Sequence, residues 1–375
     1  MSQARTRTLP LVDLSYANAA VEREVLADVA ALIETGEFIN GPHVERFERA
    51  FAAFCAASEC VGLSSGLDAL RLALIAAGVG PGDEVVVPAL TFIATFEAVS
   101  QAGATPVVAD VREADYQLDP DAAAAAAGPR TRGILPVHLY GQMADMRALA
   151  EVARRAGIVM VEDACQAHGA TRDGVRPGAR SAAAAYSFYP TKNLGALGDA
   201  GAVVTDDRSL AERVRTLRQH GERDGHRSLR IGYTARLDTL QAAVLLRKLP
   251  HLDGWNRDRA AAAAFYTEAL DGVGDLRPLP VPAGSRPVWH LYPIRTARAE
   301  GLRAHLADRG IATGRHYPEP PHLSAAYAPL GHRPGAFPIA ERLCAELVSL
   351  PLYPGIGEGP LSTVRDAIAE FFDGV

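Results

Sequence analysis

Residues Ser187–Asp207 read SFYPTKNLGALGDAGAVVTDD. One lysine, Lys192, sits there among glycines, small residues and aromatics, with no acid before Asp199. Lysine heads ordinarily reach into water from charged faces. Lys192 is therefore either a surface lysine in a loop or an amine held inside a site. The flanking runs AAAAYSF and GAVVTDD read as short buried strands, which puts Lys192 just past a strand that ends near Ser187.

Upstream the pattern repeats. ECVGLSS leads into GLDALRLALIAAG, where Leu67, Leu70, Leu74 and Ile75 fall on one helical face. DEVVVPA, ATPVVAD, GILPVHLYG and GIVMVEDA are further short apolar runs, with helix candidates such as TFIATFEAVSQAG and 143–156 between them. Repeated strand–helix units predict an α/β fold with a mostly parallel sheet covered on both faces. Ligands bind such sheets at the carboxyl ends of the strands. After Asp207 helical patterns dominate, one of them interrupted near Pro250. A Pro- and Gly-rich connector, DGVGDLRPLPVPAGSRP, then precedes segments that form a small α+β lobe. The expected division is 1–250 for a large domain, including the N-terminal segment, and 251–375 for a small C-terminal one.

The composition fits this frame. The chain has 375 residues, 48% hydrophobic and 22% charged, with a net charge of -6. That length favours two domains or one with a lobe, and the charge suggests neither nucleic acid nor an anionic membrane as partner. Cys55, Cys60, Cys165 and Cys344 form no metal-spaced pair and no disulfide framework. No metal is expected. The opening residues carry no long apolar stretch, and no run reaches the about 18–20 residues that span a bilayer. A cytoplasmic setting is the expectation.

Three features could converge at one sheet edge. In VMVEDACQAHGA, Asp163 follows a buried strand, where a carboxylate is costly unless a cation or donor meets it; a helix cap or salt bridge would also account for it. In SSGLDAL, Ser64, Ser65 and Gly66 precede an apolar helix whose free N–H groups suit a phosphate, although ordinary serine capping explains them too. Neither G-x-G-x-x-G nor G-x-x-x-x-G-K-[ST] occurs, which argues against a nicotinamide dehydrogenase and against P-loop sites. A phosphate-binding helix start, a strand-end carboxylate and a strand-end lysine together match the needs of pyridoxal 5'-phosphate: an anion site, a partner for the ring nitrogen and an amine for the aldehyde.

VEDACQAHGA, SFYPTKNLGALGDAGAVVTDD, PVHLYGQMADM, RLDTLQAAVLLRKL and TGRHYP resemble the DegT/DnrJ/EryC1/StrS family of pyridoxal-phosphate sugar aminotransferases, a likeness that runs across nearly the whole chain. The resemblance implies fold type I, as in aspartate aminotransferase, and homodimers with shared active sites. It implies Lys192 as the Schiff-base lysine and general acid/base, Asp163 as partner of the pyridine nitrogen, Gln166 near the 3-hydroxyl, and Ser187 with the backbone of Gly66-Leu67 at the phosphate. Phe92 would stack on the ring, and His168 would support the cofactor. Leu67 stands where the family often has Thr. Thr234 stands where an Asn commonly reaches across the dimer to the phosphate, and Thr191 where Gly or Ser is frequent.

His168, Tyr189, His316, Tyr317 and His322 are the candidates for contact with substrate; loop or packing roles are the alternative for each. GLDAL and RHYPEPPHL are similar to enzymes that aminate C3 of a nucleotide-linked 3-keto-6-deoxysugar. The expected reaction moves the amino group of L-glutamate to the C3 ketone of a dTDP-3-keto-6-deoxyhexose, with pyridoxamine 5'-phosphate as the intermediate cofactor form. Alternatives are amination at C4, a keto-cyclitol substrate, or a regulatory protein that only holds the cofactor. Relatives that are dehydratases replace the lysine with histidine, which Lys192 argues against. Seven arginines between Arg213 and Arg236, against Glu222 and Asp224, could meet a diphosphate or a carboxylate.

Overall fold

The computed structural model describes residues 8–223 and 227–374. Asp224 of the arginine-rich stretch lies outside the described residues. Seven strands form the main sheet: β1 (Glu59–Leu63), β2 (Glu84–Pro88), β3 (Thr105–Ala109), β4 (Thr131–Ile134), β5 (Val159–Asp163), β6 (Ala183–Ser187) and β7 (Gly201–Thr205). Their order is β1-β7-β6-β5-β4-β2-β3. All neighbours are parallel except β7, which runs antiparallel to both β1 and β6. The mostly parallel sheet is as predicted; the reversed strand is not visible in the apolar pattern, because GAVVT is buried on both faces like the parallel strands of the same sheet.

The strand sequences explain their depth. Val85, Val86 and Val87 are fully buried, as are Val203 and Val204, so adjacent residues pointing to opposite faces both meet helices. Full burial of each such side chain stabilises the fold by about 1.5–3 kcal/mol. Four helices frame the sheet edge and the C-terminal lobe: α1 (Gly66–Ala76), α2 (Ile93–Gln101), α3 (Thr239–Lys248) and α4 (Leu252–Ala269). Helix α1 runs behind the sheet, with Leu70, Leu72 and Leu74 buried. Leu67 and Ile75 are half-buried and pack against the same core.

A second sheet has the order β8 (Arg277–Pro278), β9 (Tyr292–Arg295), β10 (Leu347–Leu350), all antiparallel. It shares a separate apolar cluster with Ala262, Ala263 and Tyr266 of α4 and with the helices Ala299–Asp308 and Glu358–Asp373. Pro250, in the turn Leu249–His251, separates α3 from α4. We propose that the division between the lobes falls at this turn. The strand-like segment at Leu9 pairs with Ile311 and so adds to the second cluster rather than to the main sheet. Among the described residues no helix is long and apolar enough to cross a membrane.

Candidate active site

The topology places the ends of β1, β2, β5 and β6 on one edge. Because β7 is antiparallel, its first residue, Gly201, lies on that edge too, paired with both Leu63 and Ser187. Asp163 closes β5 and is 6% exposed. Its Oδ2 accepts from Thr95 Oγ1 at 2.9 Å and its Oδ1 from the Cys165 amide at 3.1 Å. Thr95 Oγ1 is itself 2.7 Å from Thr91 Oγ1. Among the described residues no salt bridge neutralises this carboxylate.

Lys192 follows β6. A turn closed by its own amide on Tyr189 O at 2.8 Å, and by Ala196 N on Phe188 O at 2.8 Å, folds the loop back over the sheet edge. The side chain carries no hydrogen bond among the described residues. Burial pushes its pKa below the ordinary 10.5, against the opposing pull of Cys165 and Asp163 beside it. The loop is tied down from within. Asn193 donates to Asn256 Oδ1 at 2.9 Å and Val288 O at 2.8 Å, and its own Oδ1 faces His290 Nδ1 at 3.1 Å.

The start of α1 meets this edge closely. Ser65 caps the helix by accepting from Asp68 N at 3.1 Å. A Cβ on Gly66 would stand 2.6 Å from Ser187 Cβ and 2.9 Å from Cys165 Sγ, so the backbone comes nearer the β6 end than any side chain would allow. Ser187 Oγ accepts from Tyr189 N at 3.3 Å.

Gln166 joins the two lobes. Its Oε1 accepts from Tyr140 N at 2.6 Å and its Nε2 donates to Tyr317 OH at 3.1 Å. Tyr140 OH donates to His316 O at 2.5 Å. The Tyr317 ring lies 5.3 Å from that of Phe92, tilted by 34°. Phe92 is 51% exposed, which a core phenylalanine would not be, so its ring is free to face a ligand. Burial pushes the His316 imidazole down to about 4, and its Nδ1 lies 2.9 Å from Ser349 Oγ.

The remaining expected residues differ in where they sit. His168 is fully buried, its ring between Tyr186 and Phe188, with Nε2 2.9 Å from Ser187 O. It braces the β6 end from inside and does not line an open site. Burial pushes it down to about 3. His322 is buried against Phe337 and His332 and bonds Glu341 at 3.3 Å, none of which belongs to the Lys192 group. Thr234 is exposed and pairs with the His220 ring at 3.2 Å. Tyr189 is 51% exposed beside Lys192. Thr95, Tyr140, Asn193 and His290 were not found from the sequence. Their roles arise from contacts between distant segments, and no local pattern marks them.

These groups fit pyridoxal phosphate. Lys192 offers an amine with no hydrogen-bond partner among the described residues, and Asp163 beside it a buried carboxylate held by neutral donors. Gly66 offers a close-approach helix start with free N–H groups. Among the described residues no cluster of His, Cys, Asp or Glu could hold a metal.

Comparison with known proteins agrees with this geometry. The sequence matches the DegT/DnrJ/EryC1/StrS aminotransferase family over residues 19–369. It is 48% identical, over all of the chain and 99% of the relative, to the dTDP-3-amino-3,4,6-trideoxy-alpha-D-glucose transaminase of Streptomyces venezuelae. It is 43% identical, over 97% of the chain and 98% of the relative, to a pleiotropic regulatory protein of Geobacillus stearothermophilus. The crystal structure of S. venezuelae DesV superposes with a TM-score of 0.97 at 47% identity, covering 99% of this chain and all of that one. The fold is that of the type I pyridoxal-phosphate enzymes, and the chain belongs to the DegT/DnrJ/EryC1/StrS aminotransferase family, whose cofactor is pyridoxal 5'-phosphate.

Proposed function

We propose that this aminotransferase moves the amino group of L-glutamate onto the C3 ketone of a dTDP-3-keto-6-deoxyhexose. The observation that carries the reading is the Lys192–Asp163 arrangement in a chain so similar to a transaminase named for a dTDP-3-amino sugar. When bound, the cofactor supplies an aldehyde and an electron sink for the substrate carbon. Asp163, aimed by Thr95, would hold the protonated ring nitrogen. The start of α1 and Ser187 would hold the phosphate, and Phe92 would cover one ring face. Lys192, with its lowered pKa, keeps a larger unprotonated fraction near neutral pH than a solvated lysine, which suits a nucleophile and a base. Its Nζ would take a proton from the donor's α-carbon and return one in the reverse sense on the sugar.

A second copy of the chain would complete the site. Phe38, Ile39, Leu197, Leu229 and Ile231 are each at least 42% exposed. Ile39 pairs with Asp238 at the head of α3, and Leu197 lies in the Lys192 loop. Apolar surface beside an open site supports a homodimer. The four unpaired cysteines support a reducing, cytoplasmic setting.

The Geobacillus relative carries a regulatory name, which brings a binding-only protein into the comparison. A protein that merely holds the cofactor has no use for a free amine of lowered pKa, which speaks for catalysis. The test is product mass after incubation with L-glutamate and either 3-keto or 4-keto dTDP-6-deoxysugar. An amine gained only by the 3-keto compound is expected. Gain only by the 4-keto compound overturns the C3 assignment, and no gain with any donor or acceptor supports the binding-only reading.

A further inference from the structure

Lys192 and Lys248 are the two lysines in a chain with 38 lysines and arginines in all, and the structure brings both to one loop. Lys248 ends α3 and is 4% exposed. Its Nζ donates to Asn18 Oδ1 at 2.7 Å and to Gly195 O at 2.8 Å. No carboxylate pairs with it among the described residues, and burial pushes its pKa down to about 8. Burying an amine without a counter-charge is costly, so an apolar side chain would be the cheaper choice if packing were the sole demand.

Gly195 is where the Lys192 loop turns back. A Cβ there would press into the Pro190 carbonyl, so the loop is closed on itself around Lys192. Gln241, on the same face of α3 as Lys248 at helical i, i+7 spacing, accepts from Leu197 N at 2.9 Å. One helix thus grips the loop twice past the amine, by a carbonyl at Gly195 and an amide at Leu197.

We propose that α3 is a rail that sets the position of the Lys192 amine, with Lys248 and Gln241 as positioning residues for the transamination chemistry. The inference rests on the reading of Lys192 as the reacting amine. Losing the grip lets the loop drift relative to Asp163, which hangs from β5 and is not held by α3. Misplacement of a reacting group by about 1 Å costs up to about a hundredfold in rate.

The first experiment is borohydride reduction of the holoenzyme followed by peptide mapping, which two lysines make unambiguous. Label on Lys192 is expected, whereas label on Lys248 overturns the underlying reading. Lys248→Met and Gln241→Ala are then compared with Arg247→Ala, a change on the same helix that removes a surface pair with Asp28 of the helix Glu22–Thr35. In the first two, kcat is expected to fall about tenfold with KM for both substrates held within about twofold. In the cofactor-free protein, amide exchange of residues 189–198 should quicken. Arg247→Ala should change neither. With Lys192 labelled, kcat and amide protection kept in Lys248→Met and Gln241→Ala, with only the melting temperature lowered, overturn the rail. If Lys248→Met does not fold, Gln241→Ala decides alone.

Discussion

Thr95 Oγ1 donates to Asp163 Oδ2 at 2.9 Å, so a hydroxyl in the first turn of α2 aims the carboxylate that ends β5. The contact joins segments 68 residues apart. The same carboxylate takes the Cys165 amide on its other oxygen. One oxygen is thus fixed by backbone and the other by a single side chain.

Thr95→Val keeps the shape of that side chain and removes its donor. A hydrogen bond to a charged group contributes about 1.5–3 kcal/mol. Cofactor dissociation should rise by about tenfold or more, read by titrating cofactor into the apoprotein and following its absorbance. An unchanged dissociation constant would mean that Cys165 N alone aims Asp163.

Gly66→Ala should cost about 1–3 kcal/mol of stability by overpacking, because its Cβ would meet Ser187 and Cys165. It should also weaken cofactor binding, since the start of α1 must move away from β6. Gly201→Ala should be the more severe of the two. Its Cβ would press on the Ser65 backbone, which cannot turn aside as a side chain can. Denaturant unfolding of both variants checks the order.

Acid should destabilise the fold through its buried histidines. His168 titrates at about 3 in the fold against an ordinary 6.5. Between those values the unfolded chain holds a proton there and the native chain does not. Stability is then fully present above about pH 6.5 and falls as pH drops toward about 3, by about 1.4 kcal/mol per pH unit for one such group. His316, at about 4, acts in the same direction. His168→Phe should reduce the proton count in this window by about one, measured as the slope of unfolding free energy against pH.

His322→Ala should leave cofactor affinity within about twofold, since its partners are Glu341, Phe337 and His332. The loss expected is one of stability, about 1–2 kcal/mol for a truncated buried side chain that leaves a vacated bond. A large loss of cofactor affinity would place His322 in the site after all.

The sequence made the strand-end residues legible for a physical reason. Asp163, Ser187 and Lys192 follow short apolar runs, and in a parallel sheet the residues after such runs share an edge. Phe92 was legible only through family likeness, because periodicity alone reads it as core. Thr95, Asn193 and His290 look like ordinary polar residues, and their placement depends on how α2, the Lys192 loop and the chain before β9 meet. His168 adjoins Gln166 in sequence, but its side chain turns into the core, where it holds the Ser187 carbonyl from behind. The direction of β7 was hidden because burial on both faces leaves the same apolar run whichever way a strand points.

That reversal gives the molecule a check on its own assembly. With β6 and β7 antiparallel neighbours, the Lys192 loop is the tip of a hairpin, and its height above the sheet is a matter of register. A slip of two residues keeps every face correct and displaces β7 by about 7 Å along β6. The position of Gly201 admits no such error. A slip either way would bring Asp199 or Val203 against the Ser65 carbonyl, where even a single Cβ finds no room. A miscounted hairpin cannot close against α1, so the register that joins the two strands of the Lys192 loop is fixed by a helix outside the hairpin.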